Sequence, residues 1–220
     1  MLLALSAALA LPALAQESAQ GRKIAMEGAG SAVPACATCH GANGEGSGAF
    51  PHLAGTGQAY LQAQLGAFAN GSRKNAVMQP IAKALSDAQR SAVAQHYSSL
   101  AAQQKGVDPA QLAPAQAGAW LATRGRWADQ VPACAQCHGP GGNGVGTSFP
   151  PLAGLPAAYI TEQLQAWKDG TRPPGPQGLM QTVAQKLTSA DIQAISAYYA
   201  GNVAVASVDK SKPANIQEGK

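Results

Sequence analysis

Cys36-Ala37-Thr38-Cys39-His40 places two thiols three residues apart, with an imidazole directly after the second thiol. The same pattern returns as Cys134-Ala135-Gln136-Cys137-His138, and together the two copies use all four cysteines of the chain. C-x-x-C-H is the attachment signature of c-type haem, because both sulfurs reach the porphyrin's vinyl groups from one helical turn while the histidine points at the iron. The pattern predicts two covalently attached haem c groups, bound through Cys36, Cys39, Cys134 and Cys137, with His40 and His138 as iron ligands.

A C-x-x-C pair by itself is also typical of half a zinc site or of a redox-active disulfide. Here a histidine follows both pairs, and the two copies stand in equivalent positions of a repeat. The haem interpretation is therefore favoured over both alternatives. Because every cysteine is committed to attachment, none is left for a structural disulfide or as a thiolate ligand to iron.

The chain is an internal repeat, which indicates duplication of one whole domain. Its 220 residues suit two small domains. The aligned segments are 33–36 with 131–134, 50–55 with 149–154, 60–65 with 159–164, 71–73 with 170–172, and Tyr97 with Tyr199. We predict an N-terminal domain over residues 16–104, a Gly- and Pro-containing linker over 105–114, a C-terminal domain over 115–203 and a polar tail over 204–220.

Each copy is predicted to be an all-α domain, with a helix before the haem motif, a glycine-rich loop after it and two or three further helices. The first helices are expected at 20–27 and 115–123, and the loops at 41–48 and 139–146. Ser86 and Thr188 are expected to cap the last helix of each copy. The residues expected to face the core at helical spacing are Tyr60, Leu61, Gln64, Leu65, Phe68, Tyr159, Ile160, Leu164 and Trp167.

Residues 1–15 are almost wholly apolar and end in Ala13-Leu14-Ala15 before the polar Gln16. This A-x-A pattern predicts a signal peptide, although no Lys or Arg precedes the apolar run; the alternative is a buried N-terminal helix. Export agrees with c-type haem, and we predict a periplasmic protein. The apolar run is too short to span a bilayer comfortably. The sequence thus predicts no transmembrane span in the mature protein and leaves peripheral membrane association open.

The formal charge of +4 describes the polypeptide without cofactors. Two haems would bring four propionates, so the complete protein would be close to neutral. Lys and Arg are scattered through both halves rather than gathered in a stripe, which argues against nucleic acid as a partner.

Two methionines occupy equivalent places late in each copy, Met78 and Met180. A haem iron held by one histidine has one axial position left, and the group that fills it decides between electron transfer and substrate chemistry. Met78 and Met180 are expected in proline-bearing loops that let each thioether reach across the porphyrin, so we predict them as the second iron ligands. The alternative is two core methionines that fill gaps.

The two remaining histidines, His52 and His96, have no counterpart in the second copy, where Pro151 and Tyr198 stand instead. A ligand present in only one of two such similar domains is the less economical explanation. We therefore expect both histidines to face solvent.

The chain resembles the class I cytochromes c, and within them the di-haem cytochrome c4 family. The resemblance rests on both C-x-x-C-H motifs, on the F-P-x-L-A-G segments at 50–55 and 149–154, on the G-x-R turns at Gly71 and Gly170, and on the later methionines. It implies two tandem all-α domains joined face to face about a pseudo-twofold axis, with haem propionate edges near the interface and His/Met ligation at both irons.

The same resemblance implies roles for further residues. The carbonyls of Pro51 and Pro150 would accept a hydrogen bond from the iron-ligating imidazoles, Leu53 and Leu152 would pack on the rings, and Arg73 and Arg172 would bind propionates. The chain departs from the family pattern in the proline-dense loop 172–178, which is longer than its counterpart in the first copy.

The function predicted from these features is electron transport by outer-sphere transfer. A quinol-oxidising complex or dehydrogenase would be the donor and a terminal oxidase the acceptor. One alternative is a cytochrome subunit of a larger dehydrogenase, such as a flavocytochrome sulfide dehydrogenase. Another is a di-haem enzyme, such as a peroxidase or a thiosulfate dehydrogenase, which needs an open or unusual ligand at one iron.

Overall fold

A computed structural model describes residues 10–103 and 117–201 of the chain, with side chains described from residue 17 onward. The predicted linker 105–114 and tail 204–220, and residues 1–9 of the predicted signal peptide, lie outside these ranges. The α-helices of the described residues are α1 (Ala10–Glu27), α2 (Ala37–His40), α3 (Gln58–Ala69), α4 (Met78–Ala84), α5 (Asp87–Ser99), α6 (Ala117–Thr123), α7 (Cys134–His138), α8 (Ala157–Lys168), α9 (Leu179–Gln185) and α10 (Ser189–Tyr199).

The helices form two domains with the same arrangement. In the first, α1 packs against α5, and α3 packs against α4 and α5. In the second, α6 packs against α10, and α8 packs against α9 and α10. Extended backbone pairs only at three isolated bridges within the described ranges. The prediction of two tandem all-α domains is confirmed.

Each domain has its own apolar core, built around the last helix. The largest fully buried side chains include Tyr97 of α5 and the pair Tyr198 and Tyr199 of α10. The core of the first domain consists of Ile24, Ala25, Val33, Leu61, Leu85, Val93, Ala94 and Tyr97. The core of the second consists of Ala119, Leu121, Ala122, Val131, Leu155, Ile160, Leu164, Ala184, Leu187, Ile192, Ile195, Tyr198 and Tyr199.

A glycine at the same place in both domains lets the first and last helices cross closely. A Cβ atom on Gly21 would lie 2.0 Å from the carbonyl oxygen of Ala92, and one on Gly118 would lie 2.2 Å from that of Ala194. No side chain fits at such distances, so both crossings depend on glycine.

The predicted helix starts of α5 and α10 are confirmed. Ser86 and Thr188 each form a capping box, in which the side chain accepts a hydrogen bond from the backbone three residues later and a side chain there bonds back. These bonds satisfy backbone N–H groups that the helix itself leaves unpaired. The first helix is longer than predicted, since α1 already begins at Ala10 and includes both sides of the expected cleavage point. Of the helices described, none is long and apolar enough to cross a membrane.

Candidate haem sites and the domain interface

The second C-x-x-C-H motif forms the short helix α7, and the first forms α2 together with Cys36, the residue directly before that helix. All four cysteine thiols are free, and Cys137 is exposed while the other three are half-buried. His40 and His138 are buried at the ends of their helices, each 7% exposed. Each domain therefore presents two thiols and one imidazole from a single turn.

Both imidazoles are held by the same contact. Nδ1 of His40 lies 2.8 Å from the carbonyl oxygen of Pro51, and Nδ1 of His138 lies 2.8 Å from that of Pro150. A carbonyl only accepts, so Nδ1 donates and Nε2 keeps its lone pair. Burial lowers the pKa of both histidines, with the proline carbonyl opposing it. Each ring is thus oriented and neutral, the state in which imidazole binds a metal.

These residues fit covalent haem better than the alternatives raised by C-x-x-C. Among the side chains described, His, Cys, Asp and Glu nowhere gather in groups of three or more that could hold a bare metal ion, which leaves a zinc site without its usual ligands. The free thiols leave the disulfide interpretation without support.

The two methionines lie where loops meet helices. Met78 is the first residue of α4 and Met180 the second of α9, and both side chains are half-buried. The expectation that both lie in loops is wrong. In the first domain the Asn75 side chain accepts hydrogen bonds from the backbone N–H groups of Val77 and Met78, at 3.0 and 2.9 Å, and starts the helix at the methionine. Pro80 is accommodated in its first turn, where no N–H is needed.

His52 does not face solvent, so that expectation is wrong. The residue is 5% exposed, and its Nδ1 atom has no hydrogen-bond partner among the described residues. Burial lowers the pKa of His52 to about 4, so the ring is neutral at physiological pH. Its counterpart Pro151 is buried too, which shows that the position points inward in both domains. His96 is half-buried.

Arg73 and Arg172 cross between the two domains. Arg73 donates to Oε1 of Gln64 in its own domain (2.9 Å), and to the Tyr159 hydroxyl (3.0 Å) and Oε1 of Gln163 (2.6 Å) in the other. Arg172 repeats the pattern with Gln163, Tyr60 and Gln64, at 2.9, 3.1 and 2.9 Å. Tyr60 and Gln64 therefore lie at the interface, and Tyr159 both contacts Arg73 across it and packs against the core of its own domain. Helical spacing alone predicts core positions for all three and does not reveal the interface.

The environment of the two guanidinium groups suits a bound carboxylate. Arg73 and Arg172 are only 6% and 4% exposed, and their Cζ atoms lie over the rings of Phe68 and Trp167, 4.4 and 3.7 Å from the ring centroids. In the described parts of the chain, neither is within salt-bridge distance of an acidic side chain. Burial lowers the pKa of Arg172, and the nearby Arg73 charge acts in the same direction. Buried cations without a counter-ion are costly, and propionates would offset that cost.

Within residues 10–103 and 117–201, one backbone contact between the domains has no mirror-image counterpart. The N–H group of Tyr60 donates to the carbonyl oxygen of Thr147, 3.0 Å away. Thr147 lies in a loop that is one residue longer than its counterpart in the first domain. A Cβ atom on Gly57 would lie 2.4 Å from that same oxygen, so the second domain can approach only because residue 57 is glycine.

Gly57→Ala is expected to open the interface without disturbing either domain. The Gly57 backbone has φ −56° and ψ 136°, which alanine adopts freely, so the clash falls on the neighbouring domain alone. We expect a loss of about 1 to 3 kcal/mol of docking free energy, seen as a larger radius of gyration in X-ray scattering and as separated thermal transitions. Gly66→Ala is the control, because Gly66 lies within α3, the helix that Gly57 precedes, and has nothing within 4 Å of the added Cβ. Unchanged scattering for Gly57→Ala would contradict this interface.

Two all-helical domains, each presenting a C-x-x-C-H helix and an imidazole tied to a proline carbonyl, define a tandem c-type cytochrome. The family model for cytochrome c matches residues 18–101 and 115–200. The chain belongs to the cytochrome c family, and within it to the di-haem cytochrome c4 family. Members of this family carry covalently bound haem c.

Known proteins extend this result. The chain is 46% identical over 197 residues to a thiosulfate dehydrogenase electron acceptor of Stutzerimonas stutzeri, covering 88% of this chain and 91% of that one. Reduced cytochrome c4 of Pseudomonas stutzeri superposes with TM-score 0.70 at 34% identity, covering 84% of this chain and 97% of that one. Thiosulfate dehydrogenase of Marichromatium purpuratum gives TM-score 0.73 at 40% identity over 83% of this chain, which spans only 40% of that longer chain. The matches to an electron acceptor and to cytochrome c4 identify the chain as an electron carrier rather than an enzyme.

Proposed function

We propose that this chain is a periplasmic di-haem carrier that accepts electrons from a thiosulfate dehydrogenase and delivers them to a terminal oxidase. The observation that carries the choice of donor is the 46% identity, over nearly the whole chain, to a protein named as the electron acceptor of that enzyme. The family supports the electron-carrying role, while the signal-like residues 1–15 support export.

The proposed haem count is two, one in each domain. Cys36 and Cys39 would hold the first haem and Cys134 and Cys137 the second, with His40 and His138 as the first axial ligands. The Nδ1 contacts to Pro51 and Pro150, 2.8 Å in both domains, support this assignment because they leave Nε2 free and fix each ring. Leu53 and Leu152 are the residues proposed to pack on the rings.

Met78 and Met180 are proposed as the second axial ligands. Each lies in the first turn of the equivalent short helix. At this place the helix fixes the backbone of the methionine, and its side chain could still extend toward the haem iron. When bound, each haem supplies one reversible one-electron couple, and a thioether ligand raises its reduction potential. With a histidine and a methionine of the chain holding each iron, no position would be left for a substrate and little rearrangement would accompany electron transfer.

Arg73 and Arg172 are proposed to bind the propionates. Their burial, their stacking on aromatic rings and the absence of an acidic partner in the described ranges support this role. Because each arginine also donates to a tyrosine and a glutamine of the other domain, the domain contact would orient both arginines at once. The arrangement would bring the propionate-binding side chains of both domains together at the interface.

A second candidate is a cytochrome module within a larger dehydrogenase. It is favoured by the match to a stretch that makes up 40% of a thiosulfate dehydrogenase chain. The same residues would then serve in a complex rather than in a diffusing carrier, and co-purification of the native protein distinguishes the two.

The test is reduction of the oxidised holoprotein by a thiosulfate dehydrogenase supplied in catalytic amount with thiosulfate. We expect both haems to be reduced only when enzyme and substrate are both present, as followed by the visible absorbance of ferrous haem. A quinol-oxidising complex with its quinol is assayed in parallel. Reduction by that complex but not by the dehydrogenase would refute the proposed donor, and oxidation of thiosulfate by the chain alone would refute the carrier role.

A further inference from the structure

Two tryptophans of the second domain are exposed on its surface. Trp120 of α6 is 46% exposed, and Trp127 in the following turn is 62% exposed. The guanidinium of Arg124 lies over the Trp120 ring, 4.8 Å from Cζ to the ring centroid. We propose that Trp120, Arg124 and Trp127, here called the tryptophan patch, form the docking surface for the electron-donating protein. This inference rests on the proposed function and adds where the donor binds.

The repeat shows that the fold does not require these residues. Gly28 and Gly125 occupy the same place in the two domains. A Cβ atom on Gly28 would lie 2.3 Å from the carbonyl oxygen of Val33, and one on Gly125 would lie 2.4 Å from that of Val131. Counting back from these glycines, Lys23 stands where the second domain has Trp120, and Glu27 where it has Arg124.

Lys23 and Glu27 form an ion pair on the surface of α1, so the first domain presents an ordinary solvated face at this place. The next turn differs as well, because residues 29–32 of the first domain contain no aromatic side chain. The same backbone arrangement thus carries a polar surface in the first domain and an aromatic surface in the second. Trp and Arg are the residues that most often dominate the free energy of protein association.

The turn that carries Trp127 is firmly held. Arg126 donates to both carboxylate oxygens of Asp191, at 2.9 and 3.0 Å, and also pairs with Asp129. These contacts lower the pKa of Asp191 to about 2, with the Arg126 bond as the main cause, so the pair stays charged at physiological pH. Lys186 donates to Oε1 of Gln130, 2.6 Å away. A preformed turn loses little conformational entropy on binding.

The tryptophan patch lies next to the second attachment site. Leu121, the neighbour of Trp120, has its carbonyl oxygen 3.8 Å from Sγ of Cys134. On the other side of the turn, Val131 pairs with Arg126 through two backbone hydrogen bonds, of 2.7 and 3.1 Å, only three residues before Cys134. Cys137 is exposed, whereas Cys39 of the first domain is half-buried. A protein seated here would be beside the attachment cysteines, and electrons would enter through the second domain.

The charge around the patch indicates the chemistry of its partner. The charge of Arg126 is offset by Asp129 and Asp191. Arg124 and Lys186 form no ion pair with any acidic side chain that the structure describes. The net charge of the side chains around the tryptophan patch is therefore positive. The matching surface of the donor should carry acidic side chains around an apolar centre.

The test compares reduction of the holoprotein by thiosulfate dehydrogenase with reduction by ascorbate. For the double variant Trp120→Ala and Trp127→Ala we expect kcat/KM with the dehydrogenase to fall about tenfold or more, while the ascorbate rate and both reduction potentials stay unchanged. Arg124→Glu should also lower kcat/KM and weaken its dependence on ionic strength. The matched control is Lys23→Ala with Glu27→Ala, at the equivalent places of the first domain, which should react like the wild type.

The outcomes separate this inference from the function on which it rests. If the dehydrogenase does not reduce the wild type, the proposed function fails and the inference with it. If the wild type is reduced and the double variant reacts equally fast, only the inference is overturned. Sedimentation tests whether the patch instead binds a second copy of this chain. If the wild type is a dimer, the double variant is a monomer and both are reduced equally fast by the dehydrogenase, the patch is a dimer interface and the proposal is overturned.

Discussion

Replacing Cys134 and Cys137 together by serine is expected to remove one of two haem masses from the chain and to leave the second domain unfolded. Cys134 packs against the core cluster of that domain, as do Leu152 and Met180. A domain of this size buries limited apolar surface, and aromatic residues make up only 5% of the chain, so a haem would contribute a large share of the core. Mass spectrometry of the denatured protein measures the haem count, and circular dichroism measures the lost helix.

The control is the same replacement in the first domain, Cys36→Ser with Cys39→Ser, which should also leave one haem mass but unfold the other half. Haem absorbance should fall to about half in both variants, because each domain would bind its own haem independently. Two haem masses retained in either variant would contradict the assignment of that pair of cysteines.

The second large effect is expected for Met180→Ala. The iron of the second domain would be left with an imidazole and water, which stabilise ferrous iron less than imidazole and thioether do. We expect one reduction potential to fall by on the order of 0.1 V, a small part of the range that axial ligands cover. The weak near-infrared band of sulfur-ligated ferric haem should lose about half of its intensity, and the reduced variant should bind carbon monoxide at one haem.

Two further variants make this prediction specific. Met78→Ala should change the other potential in the same way, whereas Met26→Ala should change neither, since Met26 lies ten residues before its haem motif and is 45% exposed. An unchanged near-infrared band in Met180→Ala would exclude this residue as a ligand. Wild-type protein that binds carbon monoxide readily at neutral pH would exclude closed coordination at both irons.

Much of this protein can be predicted from local patterns. The C-x-x-C-H motifs and the caps at Ser86 and Thr188 each depend on residues close together in the chain, and the repeat is found by comparing one half of the sequence with the other. The sequence is therefore enough to indicate tandem helical cytochrome domains. The close helix crossings at Gly21 and Gly118 are not predicted, although one signal exists: a glycine recurs at the same place in two helices that otherwise favour alanine. The loop placement of Met78 and Met180 is wrong because prolines suggest a loop, whereas the Asn75 side chain already starts a helix at Met78.

The sequence by itself determined that the chain contains two copies of one helical domain, and its C-x-x-C-H motifs predict where haem is attached and which histidines bind it. Only the tertiary structure decided which residues meet between the copies, because such contacts join side chains about a hundred positions apart and leave no short spacing to recognise. Arg73 and Arg172 reach across to the opposite domain, His52 is buried rather than solvated, and Gly57 accommodates the Thr147 carbonyl. The physical reason is that a local motif reflects the geometry of one helical turn, whereas burial and docking depend on how separate surfaces of the folded chain approach each other.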